Sequence, residues 1–207
     1  KWRGVITIGP GIPTQACIHA NAHAMARYAA LCQEAGIVPI VEPEVLIDGD
    51  HSLDECAQAT EATLKDLFAE LAAQGVLLEG AILKASMVIA GKSAASRSSA
   101  QEVAEATLRV LKECVPPNLA GVVFLSGGQG DEQATENLDA MNKLGAQPWP
   151  LTFSYSRAIQ NPVLKIWAQD MQANVHKAQA ALIFRSRMCS LAAQGKYSPE
   201  MEKDRPY

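Results

Sequence analysis

Lys84 closes the apolar run Leu77-Leu78-Glu79-Gly80-Ala81-Ile82-Leu83-Lys84. A lysine in that position has a buried stem and presents its amine at one place. Burial disfavours the charged form of an amine, and a free amine is a nucleophile for carbonyl carbon. The chemistry this points to is Schiff-base formation. A lysine can also snorkel at a strand end with no chemical duty, so its surroundings must decide. Schiff-base chemistry needs an acid/base to carry protons through carbinolamine formation and dehydration. Glu42 is the first candidate because it ends the apolar run 37–41, and Glu44, two residues on, is placed to hold a lysine or share charge with it. The plain alternative for both is a strand end facing water.

A second feature is Ser126-Gly127-Gly128-Gln129-Gly130, which follows an apolar run. Glycines let backbone N–H groups converge on an anion as a nest. Asp131 and Glu132 at the start of the next helix would repel a phosphate placed at that helix end, so the loop amides are the expected anion holders. Arg157 offers a matching bidentate cation. An ordinary strand-to-helix turn is the competing reading of the loop. Two further patterns are set aside. Ala90-Gly91-Lys92-Ser93 ends like a phosphate-binding loop, but the position of that motif's first glycine is Ser86. His19 and His23 stand at i, i+4 on a helix, yet no glutamate lies between them in the metalloprotease position and no third ligand is evident nearby; they read as a helix-face or partly buried pair rather than a metal site.

These residues need a scaffold, and the chain alternates. Strands are expected at 2–8, 37–41, 76–84, 121–125 and 149–153. Helices are expected at 14–35, 52–73, 100–114 and 131–143, then two more broken near Asn174 and running to about residue 193. Ser52 with Glu55 three residues later is a capping box. Gly36, Gly75 and Pro116-Pro117 are stop signals, and 91–99 is a small-residue surface loop. Alternation of this kind implies βαβ units on a parallel sheet, either an open doubly wound sheet or part of a (β/α)₈ barrel. In both, chemistry collects at the C-terminal ends of strands. Polar groups sit after four of them: Glu42 and Glu44, Lys84, residues 126–130 and residues 154–157.

The bulk numbers narrow the class. The chain has 207 residues, 48% hydrophobic and 19% charged, enough for one domain with a core. Its net charge of −4 and lack of a basic run argue against nucleic acid as a partner. Five cysteines at wide spacing without a CxxC read as free thiols in a reducing, cytoplasmic setting. No apolar stretch approaches a membrane span. The chain opens on a strand-like run without an initiator methionine, as the interior of a longer protein would.

Taken together, these segments resemble class I fructose-bisphosphate aldolase, the Schiff-base type. The resemblance is carried by Lys1-Trp2-Arg3, Gly36-Ile37-Val38-Pro39-Ile40-Val41-Glu42-Pro43-Glu44, Asp48-Gly49-Asp50-His51, Leu78-Glu79-Gly80 through Lys84, Phe124-Leu125-Ser126-Gly127-Gly128-Gln129, Leu151-Thr152-Phe153-Ser154-Tyr155 and Gln194-Gly195-Lys196-Tyr197. It implies an α/β fold, a (β/α)₈ TIM barrel of which this chain holds strands 4 to 8 as a single domain (1–207), with 195–207 as a C-terminal tail. It implies reversible cleavage of fructose 1,6-bisphosphate to dihydroxyacetone phosphate and glyceraldehyde 3-phosphate, with no metal and no cofactor. It implies a homo-oligomer, tetrameric in the family, with a phosphorylated sugar as substrate and no membrane or nucleic-acid partner. By resemblance Lys84 is the Schiff-base lysine, Glu42 the acid/base, Glu44 an organiser of the lysines and Lys1 a cation that helps hold the amine neutral. Arg3 matches a substrate-contacting arginine. Ser126, Gly127, Gly128, Ser154 and Arg157 match phosphate and sugar contacts, and Tyr207 the C-terminal tyrosine that assists proton transfer.

The chain departs from that pattern in three places. Ala85-Ser86-Met87 follows Lys84 where the family has Pro-Asn-Met, and Ser156 stands for a phosphate-contacting glycine. The resemblance also starts at the family's fourth strand, leaving outside it the aspartate of carbon–carbon cleavage. A fragment, nicked chain or split form of a longer aldolase is therefore the expectation. Two other readings stay open: a non-catalytic fragment that only binds, and a Schiff-base aldolase for another sugar phosphate.

Overall fold

Helix starts follow their caps. Thr14 accepts a hydrogen bond from the Cys17 N–H at the head of α1 (Gln15–Glu34). Ser52 and Glu55 form the expected capping box on α2 (Leu53–Ala73). Ser99 and Glu102 form another on α3 (Ala100–Cys114). α4 (Asp131–Lys143), α5 (Arg157–Trp167) and α6 (Val175–Ala192) complete the helices. The computed structural model describes residues 1–207. Between the helices run β1 (Trp2–Ile6), β2 (Ile40–Val45), β3 (Ile82–Ala85), β4 (Gly121–Phe124) and β5 (Leu151–Phe153).

All neighbouring strands pair parallel, and their order in the sheet is their order in the chain. A doubly wound sheet reverses its strand order at a switch point; this sheet never does. Sequential order is the arc of a barrel wall, which resolves the two architectures left open by the alternation. One sheet face carries the helices: a Cβ on Gly4 would come within 2.9 and 3.2 Å of Asn21 and Met25 of α1. Strand alternation therefore points Lys1 and Arg3 to the opposite face. The core, including Met25, Val41, Leu67, Leu83, Val103, Val122, Leu138 and Met141, is one continuous cluster.

Strand boundaries differ from expectation, each for a visible reason. β2 does not stop before Glu42-Pro43-Glu44; all three lie inside it. Even positions of the strand donate toward β1, as the Leu46 N–H does to the Ile6 carbonyl at 2.9 Å. Odd positions face β3, so Pro43 lacks its donor on the side where β2–β3 pairing has already ended at Val41↔Leu83. There the Val45 N–H instead finds the Ser86 hydroxyl at 3.0 Å. β3 is much shorter than 76–84, because Leu78–Gly80 form a 3₁₀ turn before it. Lys84 is thus the third of its four residues. β1 ends at Ile6 rather than 8. β5 begins at Leu151 because Trp149 turns aside and donates its indole N–H to the Pro116 carbonyl at 2.9 Å.

Candidate active site

Parallel strands deliver their odd or even side chains to one face, and here that face gathers charge. Lys84 is 9% exposed, and its Nζ lies 3.2 Å from Glu42 Oε1. The other oxygen of Glu42 accepts from Lys1 Nζ at 2.6 Å. One buried carboxylate is therefore shared by two amines from the strands on either side of it. Register explains why: Arg3 pairs with Glu42 across β1–β2, and Val41 with Leu83 across β2–β3. Two residues along, Arg3 Nε donates to Glu44, also buried. That bond holds the Arg3 guanidinium above its ordinary value.

These five groups line a cavity of about 620 Å³ with Leu125, Ser126, Gly127, Ser154, Ser156 and Arg157. The lining carries four cations and two carboxylates. Excess positive charge around a polar pocket favours an anionic ligand. Arg157, the first residue of α5, makes no hydrogen bond or ion pair through its guanidinium and is free to bind one. Gly127 has φ +56° and Gly128 φ +88°, and neither N–H is taken by another backbone group. Two free amides beside a free guanidinium make an anion cradle. The first turn of α4 is otherwise engaged, since Asp131 faces Arg185 and Arg205 of the C-terminal region.

Most of the residues picked from sequence meet here: Lys84, Glu42, Lys1, Glu44, Arg3, Ser126, Gly127, Ser154 and Arg157. Two do not line the cavity. Gly128 lies just outside the lining, where an added Cβ would sit 2.8 Å from Lys92 Nζ and 3.6 Å from Arg157 Nη1. Tyr207 packs edge-on against Phe184 of α6, with Arg205 over its ring. Ser156 was noted only as a departure, yet it lines the cavity, with its hydroxyl turned to Gln160 Oε1 at 3.0 Å. Its place just before the α5 cation was the available signal. Ser86, the other departure, ties the end of β2 to β3 behind Lys84.

The two patterns set aside have definite structures. In Gly91-Lys92-Ser93 every N–H is spent on His51, Ile47 and Gly49 carbonyls at 2.8–2.9 Å. A Cβ on Gly91 would meet the Gly49 carbonyl at 2.3 Å. The segment is a loop clasp, not a phosphate cradle. His19 and His23 face Asp66 and Glu70 of α2, carboxylates 47 residues away in sequence.

The comparisons agree on one family. The family model for fructose-bisphosphate aldolase class-I matches residues 1–206. A probable class 1 fructose-bisphosphate aldolase from Xanthomonas campestris is 57% identical over 197 residues, covering 95% of this chain and 59% of that protein. Fructose-bisphosphate aldolase from Plasmodium falciparum is 50% identical over 199 residues, covering 95% and 54%. The cytosolic fructose-bisphosphate aldolase 4 of Arabidopsis thaliana is 46% identical over 203 residues. A crystal structure of the Plasmodium falciparum enzyme with TRAP and a small-molecule inhibitor superimposes with TM-score 0.93 at 49% identity, over 95% of this chain and 57% of that one. The chain thus spans little more than half the length of the relatives it matches. No helix in it is long and apolar enough to cross a membrane.

Proposed function

This chain belongs to the class-I fructose-bisphosphate aldolase family, and from that we propose that it carries the Schiff-base half of a fructose 1,6-bisphosphate aldolase site, acting in the cytoplasm as part of a homo-oligomer. The observation that carries this reading is Lys84 and Lys1 sharing the buried Glu42 carboxylate beside an unspent Arg157.

The steps follow from those positions. The neutral Lys84 amine adds to the ketone carbon of a phosphorylated sugar, forming C–N while the carbonyl π pair moves to oxygen. Glu42 relays the proton from nitrogen to that oxygen, giving the neutral carbinolamine, and then passes a second proton, drawn from solvent, to the hydroxyl, which leaves as water and gives the iminium. Lys1 keeps the shared carboxylate paired while that proton moves. Arg3 and Glu44 fix the wall beside it. Arg157, Ser126, Ser154 and the Gly127 amide hold the phosphate, with the Ser156 backbone adjoining. The iminium then acts as the electron sink for carbon–carbon cleavage: the hydroxyl on the far carbon of the breaking bond gives its proton to a base, glyceraldehyde 3-phosphate leaves, and protonation and hydrolysis of the remaining enamine release dihydroxyacetone phosphate from Lys84. No metal enters these steps. The proton transfer to the enamine carbon is the step for which Tyr207 is proposed by resemblance; in the structure its ring packs against Phe184 of α6, outside the cavity lining.

Borohydride reduction in the presence of dihydroxyacetone phosphate, followed by peptide mass mapping, tests the reading. A stable adduct on Lys84 is expected. An adduct elsewhere, or none on a chain whose folding is verified by circular dichroism, overturns it. Comparing trapping by dihydroxyacetone phosphate with that by unphosphorylated dihydroxyacetone then tests the role given to Arg157.

A further inference from the structure

We propose that α1 and α2 together form a divalent-metal site, of zinc type, with His19, Asp66 and Glu70 as ligands. His19 Nδ1 lies 3.2 Å from Asp66 Oδ1 and 3.8 Å from Glu70 Oε1. The three donor atoms all fall within 4.8 Å of one another. Ligand atoms about 2.1 Å from a tetrahedral zinc are about 3.4 Å apart. The His19–carboxylate separations bracket that edge, so side-chain rotations suffice to close around an ion.

The remaining atoms of the cluster are arranged as outer supports. The second oxygen of Glu70 pairs with His23 Nδ1 at 2.9 Å. The second oxygen of Asp66 accepts from Gln15 Nε2 at 3.2 Å. Each carboxylate is thereby held by one oxygen and presents the other toward His19, which is how ligating carboxylates are oriented in metal centres. The pattern has a helical origin. His19 and His23 are one turn apart on α1, Asp66 and Glu70 one turn apart on α2, and these two helices pack side by side. His19 is 58% exposed, so the fourth coordination position opens to water. Nitrogen and carboxylate donors with an open position suit zinc better than calcium or magnesium, which take oxygen ligands alone. None of these residues lines the lysine cavity. A metal here would clamp two outer helices rather than enter the reaction, which makes this inference independent of the proposed function.

Zinc chloride titrated calorimetrically into the chelator-treated chain is the test. Exposed Cys17, two residues from His19, is a competing ligand, so the titration is run with thiols alkylated. One zinc per chain is expected. His19→Ala or Glu70→Gln should weaken binding at least 100-fold and His23→Ala about 10-fold, the cost of losing an outer-sphere partner. Saturating zinc should raise the Tm of the parent and not of His19→Ala. The cobalt(II) derivative of the unalkylated chain should show no thiolate charge-transfer band. Absent binding, binding unchanged in His19→Ala and Glu70→Gln, or a thiolate band would each overturn the site. His19 is exposed and the two carboxylates are partly covered between the helices, so circular dichroism verifies the fold of every variant before titration.

Discussion

Two charge clusters in this chain, each built around buried groups, look alike in composition and differ in what is left over. Around Glu42 and Glu44, four cations face two carboxylates, and Arg157 has no partner at all. Beside α4 and α6, Arg185 is fully buried and engaged through both terminal nitrogens: it donates to Glu202 at 2.6 Å, to the Asp131 carbonyl at 2.9 Å and to the Thr135 hydroxyl at 2.7 Å, while its Nε lies 3.7 Å from the Asp131 carboxylate. Glu202 in turn accepts from Arg205 at 2.8 Å and from the Tyr197 hydroxyl at 3.0 Å. The second cluster closes on itself and pins the C-terminal 3₁₀ segment Pro199–Asp204 to the helices. The first opens onto a cavity with donors to spare. A surplus of positive charge with a free guanidinium is what an anionic ligand is expected to complete; in the second cluster each arginine already has its carboxylates.

If that contrast is right, removing a charge should cost chemistry in one place and stability in the other. Lys84→Ala should reduce borohydride trapping to background, because the nucleophile is gone, while Tm holds since Glu42 keeps Lys1. Glu42→Gln should slow imine formation by about 10²–10⁴, the usual contribution of a positioned acid/base, read as the rate of trapping at fixed ketone concentration. Arg185→Ala should do the reverse. Breaking a buried pair costs about 3–5 kcal/mol, and the lower end applies here because Arg205 still faces Glu202. For a chain of this length that is a Tm loss of roughly 6–12 °C, with Lys84 still reactive in the folded fraction. A Lys84→Ala variant that melts early, or an Arg185→Ala variant that melts normally, would erase the distinction between the clusters.

A smaller effect sharpens it. Arg157 is the unspent donor, and a hydrogen bond from a charged group contributes about 1.5–3 kcal/mol. Arg157→Ala should weaken dihydroxyacetone phosphate binding by roughly 10- to 100-fold and leave Tm in place. Unphosphorylated dihydroxyacetone should bind both proteins alike. Equal loss for both ketones would mean that Arg157 shapes the cavity rather than holding phosphate.

The sequence and the structure part company where distance along the chain matters. The start of α2 was legible because Ser52 and Glu55 act within one turn. The end of α3 was legible because Pro116-Pro117 closes its pattern. The lysine and its two glutamates were legible as strand-end residues, and strand alternation placed Arg3 beside Lys1. Pro43 misled, since it reads as a terminator; only the early end of β2–β3 pairing shows that its missing N–H costs nothing. His19 and His23 read as a bare pair because their carboxylates belong to another helix. Tyr207 lies in a tail with no periodicity, and its docking depends on Arg205 and Phe184.

The weakest expected effect concerns pH and the closed cluster. Burial alone would raise the Glu202 carboxyl, but hydrogen bonds from Arg185 and Arg205 outweigh it and hold the group below its ordinary value of 4.5. A carboxyl depressed in the folded state stabilises at pH above its unfolded value and loses that contribution as pH falls through the folded value. Docking of the tail should therefore be constant from pH 8 to pH 5 and loosen only below about 4. Glu136 pulls the other way: burial, then Glu132 and Glu202 nearby, raise its carboxyl, so its protonation in acid relieves repulsion and trims the loss. Hydrogen exchange at Met201 and Arg205, corrected for intrinsic rates, would follow the transition, and Glu202→Gln should abolish its pH dependence. Release of the tail already at pH 6, where Glu202 is fully ionised, would mean that something other than the arginine–glutamate network holds it, and the closed cluster would lose its claim to be structural.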